Sequence, residues 1–176
     1  MLSLSWSPQY CANRADDPQC LSRNYGFVVH GLWPQNRRGY PERCDEGGTV
    51  SHQMIERMLP LMPSPSLIRH EWRTHGTCSG MDMETYFLTI EQVRRDLAIP
   101  AAYANPTQYL NTSVDAIQDA FVRANPGLRP EDITIACSGR YLKEVRICYD
   151  KSFKYTTCGS DQRNHCRREA VLRPSR

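Results

Sequence analysis

Two short stretches hold most of the side chains in this sequence that could do chemistry. The first, Phe27–Pro34, reads FVVHGLWP, and the second, His70–Cys78, reads HEWRTHGTC. Together they contain three of the five histidines, two of the three tryptophans and one glutamate. Imidazole titrates near neutral pH, so paired histidines beside a carboxylate are typical of general acid–base catalysis. The sequence therefore predicts a catalytic site built from these two stretches.

The second stretch places its polar groups together if it is helical. At about 100° per residue, Glu71, Thr74 and His75 share one face, and His70 stands beside it. His30 ends a predicted buried strand, so its ring can meet this face across a cleft, and Gly31 permits close approach of backbone or ligand. Three structural histidines beside a glutamate would be an unusual coincidence, which favours the catalytic interpretation.

Other kinds of catalytic site fit the sequence less well. A zinc-binding helix needs histidines at i and i+4, whereas His70 and His75 stand at i and i+5, about 140° apart around the axis. Cys78 could be a nucleophile, but a disulfide is favoured in an oxidising compartment. Neither a G-x-S-x-G nor a G-x-x-x-x-G-K-[ST] motif occurs. We therefore expect neither a metal nor a cofactor.

Length and composition predict one globular domain over residues 1–176. The chain has 176 residues, of which 40% are hydrophobic and 23% charged, and a net charge of +3. It has no long apolar run of the kind that spans a membrane. Met1 is followed at once by the alternating pattern of Leu2–Trp6, so we interpret the chain as a mature domain whose leader has been removed.

The eight cysteines indicate an oxidising compartment. Their number is even, and no C-x-x-C pair points to zinc. Disulfides predict a protein of the periplasm or of the cell exterior, although the sequence alone leaves about 105 connectivities open.

Arginine makes up 19 of the 22 basic residues. Guanidinium matches phosphate in a bidentate way, which favours a phosphate-containing partner, but genome composition explains the bias equally well. The densest patches are Arg37-Arg38 and the tail that carries Arg163, Arg167, Arg168, Arg173 and Arg176. We expect the tail to be a solvated end rather than a binding arm.

Hydrophobic periodicity predicts strands at both ends of the chain and helices between them. Strands are expected at Leu2–Trp6, Gly26–Leu32, Ile133–Ile135 and Val145–Ile147, with a turn at Ser138–Arg140. Helices are expected after Ser51, over Leu67–His75 with Ser66 as its cap, after Asp82 and after Ser113. Residues 7–24 are expected to form a polar loop. This order predicts an α+β fold with a central antiparallel sheet flanked by helices.

The two histidine-containing stretches resemble the active-site segments of the ribonuclease T2 family. Leu4–Cys11 is similar to the first strand of that family and its cysteine, and Ile133–Cys137 and Glu144–Cys148 resemble its last core strands. The resemblance covers most of residues 2–158 and excludes the tail after Cys166. It implies a ribonuclease T2-like, disulfide-stapled fold and a secreted or periplasmic endoribonuclease.

The resemblance also implies how the residues divide the reaction. RNA carries its own nucleophile, the 2′-hydroxyl, so a base, an acid and a positive group suffice without a metal. By resemblance, His75 is the general base, His30 is the general acid and Glu71 polarises the phosphate. RNA would first form a 2′,3′-cyclic phosphate, which is then hydrolysed to a 3′-phosphate.

Binding roles follow from the same resemblance. His70 resembles a phosphate-binding histidine. Trp33 either stacks on a base or packs in the core, and Trp72 is expected in the core. Gln35 and Tyr40 lie where base contacts could form.

One position departs from the family pattern. The family usually has lysine directly before the second histidine of the helix, and this chain has Thr74 there. We hypothesise that Arg73 or another arginine replaces the lysine in part, with Thr74 offering a hydroxyl to the phosphate. The lost lysine also leaves open a catalytically weak or inactive family member that acts as an RNA-binding or recognition protein.

The resemblance implies four disulfides, which are Cys11–Cys20, Cys44–Cys78, Cys137–Cys166 and Cys148–Cys158. We expect single-stranded RNA as the substrate, no cleavage of DNA, no membrane partner and a monomer.

Overall fold

A six-stranded sheet organises the molecule. The structure is a computed structural model that describes residues 1–14, 16–21 and 25–175. The strands are β1 (Leu2–Trp6), β2 (Phe27–Leu32), β3 (Leu110–Ser113), β4 (Ile133–Ser138), β5 (Tyr141–Ile147) and β6 (Glu169–Leu172). They lie in the order β2-β1-β5-β6-β3, and β4 also pairs with β5. The predicted α+β fold is confirmed.

The sheet is antiparallel in all of these pairings but one. Strands β5 and β6 pair in parallel, with Tyr141 opposite Val171. The predicted strands at the two ends of the chain are present, and the turn between β4 and β5 falls at Gly139 and Arg140. The sequence did not predict β3 or β6.

Seven α-helices occur in the described part of the chain. They are α1 (Ser7–Tyr10), α2 (Pro18–Leu21), α3 (His52–Met58), α4 (Pro65–Thr74), α5 (Met83–Asp96), α6 (Ala101–Ala104) and α7 (Val114–Ala124). Short 3₁₀ turns follow at Cys11–Asn13, Gly76–Cys78 and Pro130–Asp132. The expected polar loop over residues 7–24 is wrong where α1 and α2 form, and its residues 15 and 22–24 lie outside the described part.

Side-chain caps begin four of the helices. Ser51, Asp82 and Ser113 cap α3, α5 and α7, as the sequence predicts. The cap of α4 is Ser64 rather than Ser66: the Ser64 hydroxyl accepts a hydrogen bond from the Leu67 amide. Proline is suited to the first helical position, so Pro65 starts the helix one residue after this cap.

The core lies between the sheet and the helices. Leu2, Leu4 and Trp6 alternate inward along β1 and are fully buried, as are Phe87 and Phe121 from the two longest helices. Strand β2 contacts both α4 and α5, which places the second predicted stretch beside the first.

The C-terminal tail is partly a strand, which corrects the expectation of a solvated end. Residues Ala170, Val171 and Leu172 are buried, and β6 pairs with β3 along its length. Arg163, Arg167 and Arg168 are exposed as expected. The sequence analysis missed this strand because arginines surround its short apolar run, which the sheet buries. Arg176 lies outside the described residues.

Four disulfides join the chain. They are Cys11–Cys20, Cys44–Cys78, Cys137–Cys166 and Cys148–Cys158, the same pairs that the family resemblance implies. Cys44–Cys78 ties the loop after β2 to the end of the α4 segment. No helix in the described part of the chain is both long and apolar enough to cross a lipid bilayer.

Candidate active site

A β-bulge carries His30. Ser3 of β1 pairs with Gly31, and the next residue, Leu4, pairs with Val29, so His30 is the extra residue on β2. Bulges bend the strand locally and change where a side chain points, and they are frequent beside active sites. The His30 side chain is one-third exposed at the edge of a pocket.

A buried glutamate from β5 holds the His30 ring. Its Nδ1 lies 3.0 Å from Oε1 of Glu144, whose side chain is 1% exposed. Burial raises the pKa of Glu144, but the hydrogen bond with His30 and the charge of Arg146 outweigh burial and lower that pKa to about 2. Glu144 is therefore ionised, and a carboxylate at Nδ1 favours a proton on that nitrogen, which leaves Nε2 on the pocket side of the ring.

Glu71 approaches from the facing helix, α4. Its side chain is 1% exposed, and its Oε2 accepts a hydrogen bond of 2.7 Å from the Trp33 indole. Its other oxygen lies 3.8 Å from Nε2 of His30. Burial raises the pKa of Glu71 to about 7, against the opposing charge of His30 and the Trp33 hydrogen bond. At mildly acidic pH this carboxyl is mostly protonated and can donate a hydrogen bond.

His75 lies just past the end of α4, as its C-terminal cap. The residue is 8% exposed, and its Nδ1 has no hydrogen-bond partner among the described residues. Burial lowers the pKa of His75 to about 4, although the nearby Glu42 raises it. The ring centre of His75 lies 5.4 Å from the Trp33 ring and 6.5 Å from the His70 ring. His75 is therefore neutral over most of the acidic range and can accept a proton.

These groups surround one pocket of about 320 Å³, which we call the histidine pocket. Its walls include His30, Trp33, His70, Glu71, His75 and Arg146. Gly31 makes this arrangement possible, because a Cβ at that position would overlap the Glu71 carboxylate and the Trp33 indole. The pocket brings together the His30 imidazole held by a carboxylate, the neutral His75 imidazole and the protonated Glu71 carboxyl. Such a set of groups can donate a proton at one point and accept one at another.

Comparison with known proteins identifies the family of this chain. A sequence model of the Ribonuclease T2 family matches residues 1–158. The chain belongs to the ribonuclease T2 family. A ribonuclease of Aeromonas hydrophila is 45% identical over 169 residues, covering 92% of this chain and 75% of that protein.

Solved structures share the T2 fold. The RNase-related protein from Calystegia sepium superimposes with a TM-score of 0.80 at 22% identity, over 99% of this chain and 96% of that one. Ribonuclease MC1 from bitter gourd seeds does so with a TM-score of 0.77 at 23% identity, over 96% of both chains. These likenesses confirm the T2-like architecture.

Most of the residues expected from the T2 motifs meet at the pocket. His30, His70, Glu71 and His75 all line it, as do Trp33, Gln35 and Tyr40. Trp72 is buried against the Tyr86 and Phe87 rings, which confirms its expected place in the core.

The structure does not bring the two other expected phosphate ligands to the pocket. Thr74 is 4% exposed and its hydroxyl has no partner among the described residues, because it lies on the buried side of α4. Arg73 is exposed and lines a neighbouring groove that runs past His30 and His70 to Lys143. The motif position before His75 thus supplies no group to the histidine pocket.

Sequence reasoning missed Glu144 and Arg146. They alternate on β5, and their register neighbours on β1 are Ser5 and Ser3, so both belong to the row of polar residues beside β2. The signal was present as two charged residues at alternate positions, one within the predicted strand Val145–Ile147 and one directly before it, where solvent exposure was the simpler interpretation. Among the described residues no group of His, Cys, Asp and Glu side chains has a metal-binding arrangement.

Proposed function

We propose that this chain is a metal-independent endoribonuclease of a single catalytic domain, 1–176. It cleaves single-stranded RNA by transphosphorylation to a 2′,3′-cyclic phosphate and then hydrolyses this product to a 3′-phosphate. The observation that carries the proposal is the unequal environment of two imidazoles in one pocket. His30 is held by an ionised carboxylate, whereas burial keeps His75 neutral. Such a pair suits an acid and a base that act together.

His75 is the general base in this proposal. Its lowered pKa of about 4 leaves the ring unprotonated at the pH where the reaction would run. In the first step it removes the proton from the ribose 2′-hydroxyl, whose oxygen attacks the adjacent phosphorus. In the second step the protonated ring returns a proton as the cyclic phosphate opens.

His30 is the general acid. In the imidazolium form both ring nitrogens carry protons: Nδ1–H donates to Glu144, and the proton on Nε2 faces the pocket and is transferred to the departing 5′-oxygen. The neutral ring then activates the water that hydrolyses the cyclic intermediate. Glu144 stabilises the imidazolium form of His30, as an anion does beside any cation.

Glu71 stabilises the charge that develops on the phosphate. Its pKa of about 7 keeps the carboxyl protonated in the acidic range, so it donates a hydrogen bond to a non-bridging oxygen. The Trp33 indole fixes the carboxyl by occupying its other oxygen. His70 borders the same space from the first part of α4 and adds a phosphate contact.

The base of the substrate would lie at the open side of the pocket. Tyr40 is 52% exposed and its ring centre is 6.2 Å from that of His75. Aromatic rings stack on any base, so Tyr40 and the exposed part of Trp33 give binding with little base selectivity. The Gln35 amide group bonds to the Trp33 and Pro34 carbonyls, and this tether would hold its oxygen for a base edge.

Four disulfides support a secreted or periplasmic location, since such bonds persist in oxidising compartments. We propose that the protein acts there as a monomer without a cofactor or a membrane partner. DNA lacks the 2′-hydroxyl that starts the reaction, so it is not cleaved.

The test is digestion of single-stranded RNA in the presence of EDTA, with end-group analysis. The wild type should give 2′,3′-cyclic ends that turn into 3′-phosphates, and DNA should stay intact. His30→Ala and His75→Ala should each lose at least 10²-fold in kcat. His52→Ala is the matched control, because His52 is a histidine on α3 with an 87% exposed side chain. Intact RNA with the wild type, or 5′-phosphate ends, would refute the proposal.

A further inference from the structure

Arg146 stands in the wall of the histidine pocket. It lies on β5, directly opposite Ser3 of β1, whose other neighbour is Gly31. Among the residues that the structure describes, it is the one arginine or lysine that lines this pocket. Its side chain is 19% exposed, so the guanidinium is largely shielded from bulk water but accessible from the pocket.

Three contacts fix the guanidinium before any substrate arrives. Its Nε and Nη2 donate to Oε2 of Glu144 at 2.9 and 2.6 Å. Its Cζ lies 5.3 Å from the centre of the Trp33 ring, which is within the range of a cation–π contact. Nη1 has no hydrogen-bond partner among the described residues. The guanidinium is therefore held in one orientation, and Nη1 remains available to bind a ligand.

A phosphate bound in the histidine pocket needs a cation beside it to balance its negative charge. His75 is neutral and Glu71 is mostly protonated at acidic pH, so neither offers a positive charge to a phosphate. Glu144 is ionised, and its carboxylate contacts Arg146, His30 and the exposed Lys143, whose Nζ lies 3.5 Å from Oε1. When His30 is protonated, the positive charges of these three side chains exceed the single negative charge of Glu144, so this group of residues attracts a phosphodiester.

The candidates on α4 do not fill this role. Thr74 stands at the motif position where the family usually has lysine, but it is buried and away from the pocket. Arg73 lines the neighbouring groove instead. The cation that faces the reacting phosphate thus comes from the sheet and not from the helix.

We propose that Arg146 is a catalytic residue that binds the scissile phosphate and stabilises its transition-state charge, in place of the motif lysine. The inference rests on the proposed ribonuclease function. A preoriented guanidinium can bond to the non-bridging oxygens, and such fixed donors are stronger in a water-poor site than in bulk water.

The experiment compares Arg146→Gln, Arg146→Lys and the wild type in cleavage of a dinucleotide, and in inhibition by adenosine 3′-monophosphate and by adenosine. Arg146→Gln should lower kcat about 10²–10³-fold, the range seen when one transition-state donor is removed. It should weaken inhibition by the monophosphate at least tenfold and leave inhibition by adenosine within twofold. Arg146→Lys should recover at least a tenth of the wild-type kcat.

Arg57→Gln is the matched control. Arg57 forms a comparable bidentate pair with Glu91, at 2.7 Å through both nitrogens, on the surface between α3 and α5. This variant should keep kcat and both inhibition constants within twofold of the wild type.

Two results would overturn the inference. One is a kcat of Arg146→Gln within threefold of the wild type. The other is equal weakening of the monophosphate and of adenosine, which a purely structural role of Arg146 produces. If Arg146→Gln does not fold, Arg146→Lys decides: monophosphate inhibition should weaken at least threefold with adenosine unchanged, and any other pattern contradicts the inference. Absence of cyclic ends with the wild type refutes the proposed function itself, whereas an active, unaffected Arg146→Gln refutes only the role of Arg146.

Discussion

Nδ1 of His30 and Oε1 of Glu144 lie 3.0 Å apart, although 114 residues separate them along the chain. Strand β1 lies between their two strands in the sheet, and the bulge at His30 brings the ring across it. The same carboxylate binds Arg146 with its other oxygen. One buried anion therefore orients both the His30 imidazole and the Arg146 guanidinium at the same pocket.

Replacing Glu144 by Gln should lower kcat at least tenfold, because His30 loses the anion that orients its ring and stabilises its charged form. The free energy of unfolding of this variant should also depend less on pH than that of the wild type. The pKa of Glu144 is lowered from 4.5 to about 2, so this group stabilises the fold fully above about pH 4.5 and loses that contribution as pH falls to 2. The shift corresponds to about 3 kcal/mol.

Thermal denaturation between pH 2 and 6 measures this effect, together with kcat at pH 5. The wild type should lose more stability than Glu144→Gln over that interval. Glu91→Gln is the control for activity, since Glu91 is also paired with an arginine but lies away from the pocket. Equal acid sensitivity of the wild type and Glu144→Gln would contradict the assignment.

The acid side of the pH–rate profile should report on His75. Its pKa of about 4 predicts that kcat/KM falls about tenfold per unit as pH drops below about 4, because the base becomes protonated. Glu42 raises this pKa through its charge, so Glu42→Gln should move the acid limb to lower pH. Steady-state rates from pH 3 to 8 measure the position of the acid limb in the wild type and in Glu42→Gln. An acid limb that stays in place in Glu42→Gln would argue against His75 as the group observed.

The protonated state of Glu71 makes glutamine a better substitute than alanine. Glu71→Gln keeps an acceptor for the Trp33 indole and a donor for the phosphate, so kcat at pH 5 should fall less than tenfold. Glu71→Ala removes both and should cost about 10²–10³-fold. As pH rises through about 7, where the carboxyl ionises, the wild type should lose a larger share of its activity than Glu71→Gln does. If the two variants are equally impaired at pH 5, the ionised carboxylate is the active form.

Gly31 should tolerate no side chain. A Cβ there overlaps the Glu71 carboxylate and the Trp33 indole, so Gly31→Ala should displace both and lower kcat at least tenfold. The crowding should also cost about 1–3 kcal/mol in the free energy of unfolding. Gly127→Ala is the control: its φ of +89° makes alanine unfavourable, but no atom lies within 4 Å. That variant should lose stability and keep kcat, and full activity of Gly31→Ala would contradict the packing argument.

Much of the fold and the site could be predicted from local sequence. The alternation of Leu2–Trp6 and the capped amphipathic pattern after Asp82 are short-range features, and both elements are present. Errors occurred where the local signal was weak. Ser66 and Ser64 are both possible caps, and the Pro65 between them decided the start of α4. The strand β6 is only four residues long and lies among arginines, so tertiary pairing with β3 was needed to define it.

The sequence by itself determined the family, the chemical groups at His30, Glu71 and His75, and the absence of the usual lysine at Thr74. Only the tertiary structure decided that the cation facing the pocket is Arg146 and that Glu144 holds both it and His30. The physical reason is that these contacts cross neighbouring strands. Strand pairing brings together residues more than a hundred positions apart, and a bulge turns one side chain toward them, whereas periodicity along the chain reports only which face of its own strand each residue occupies.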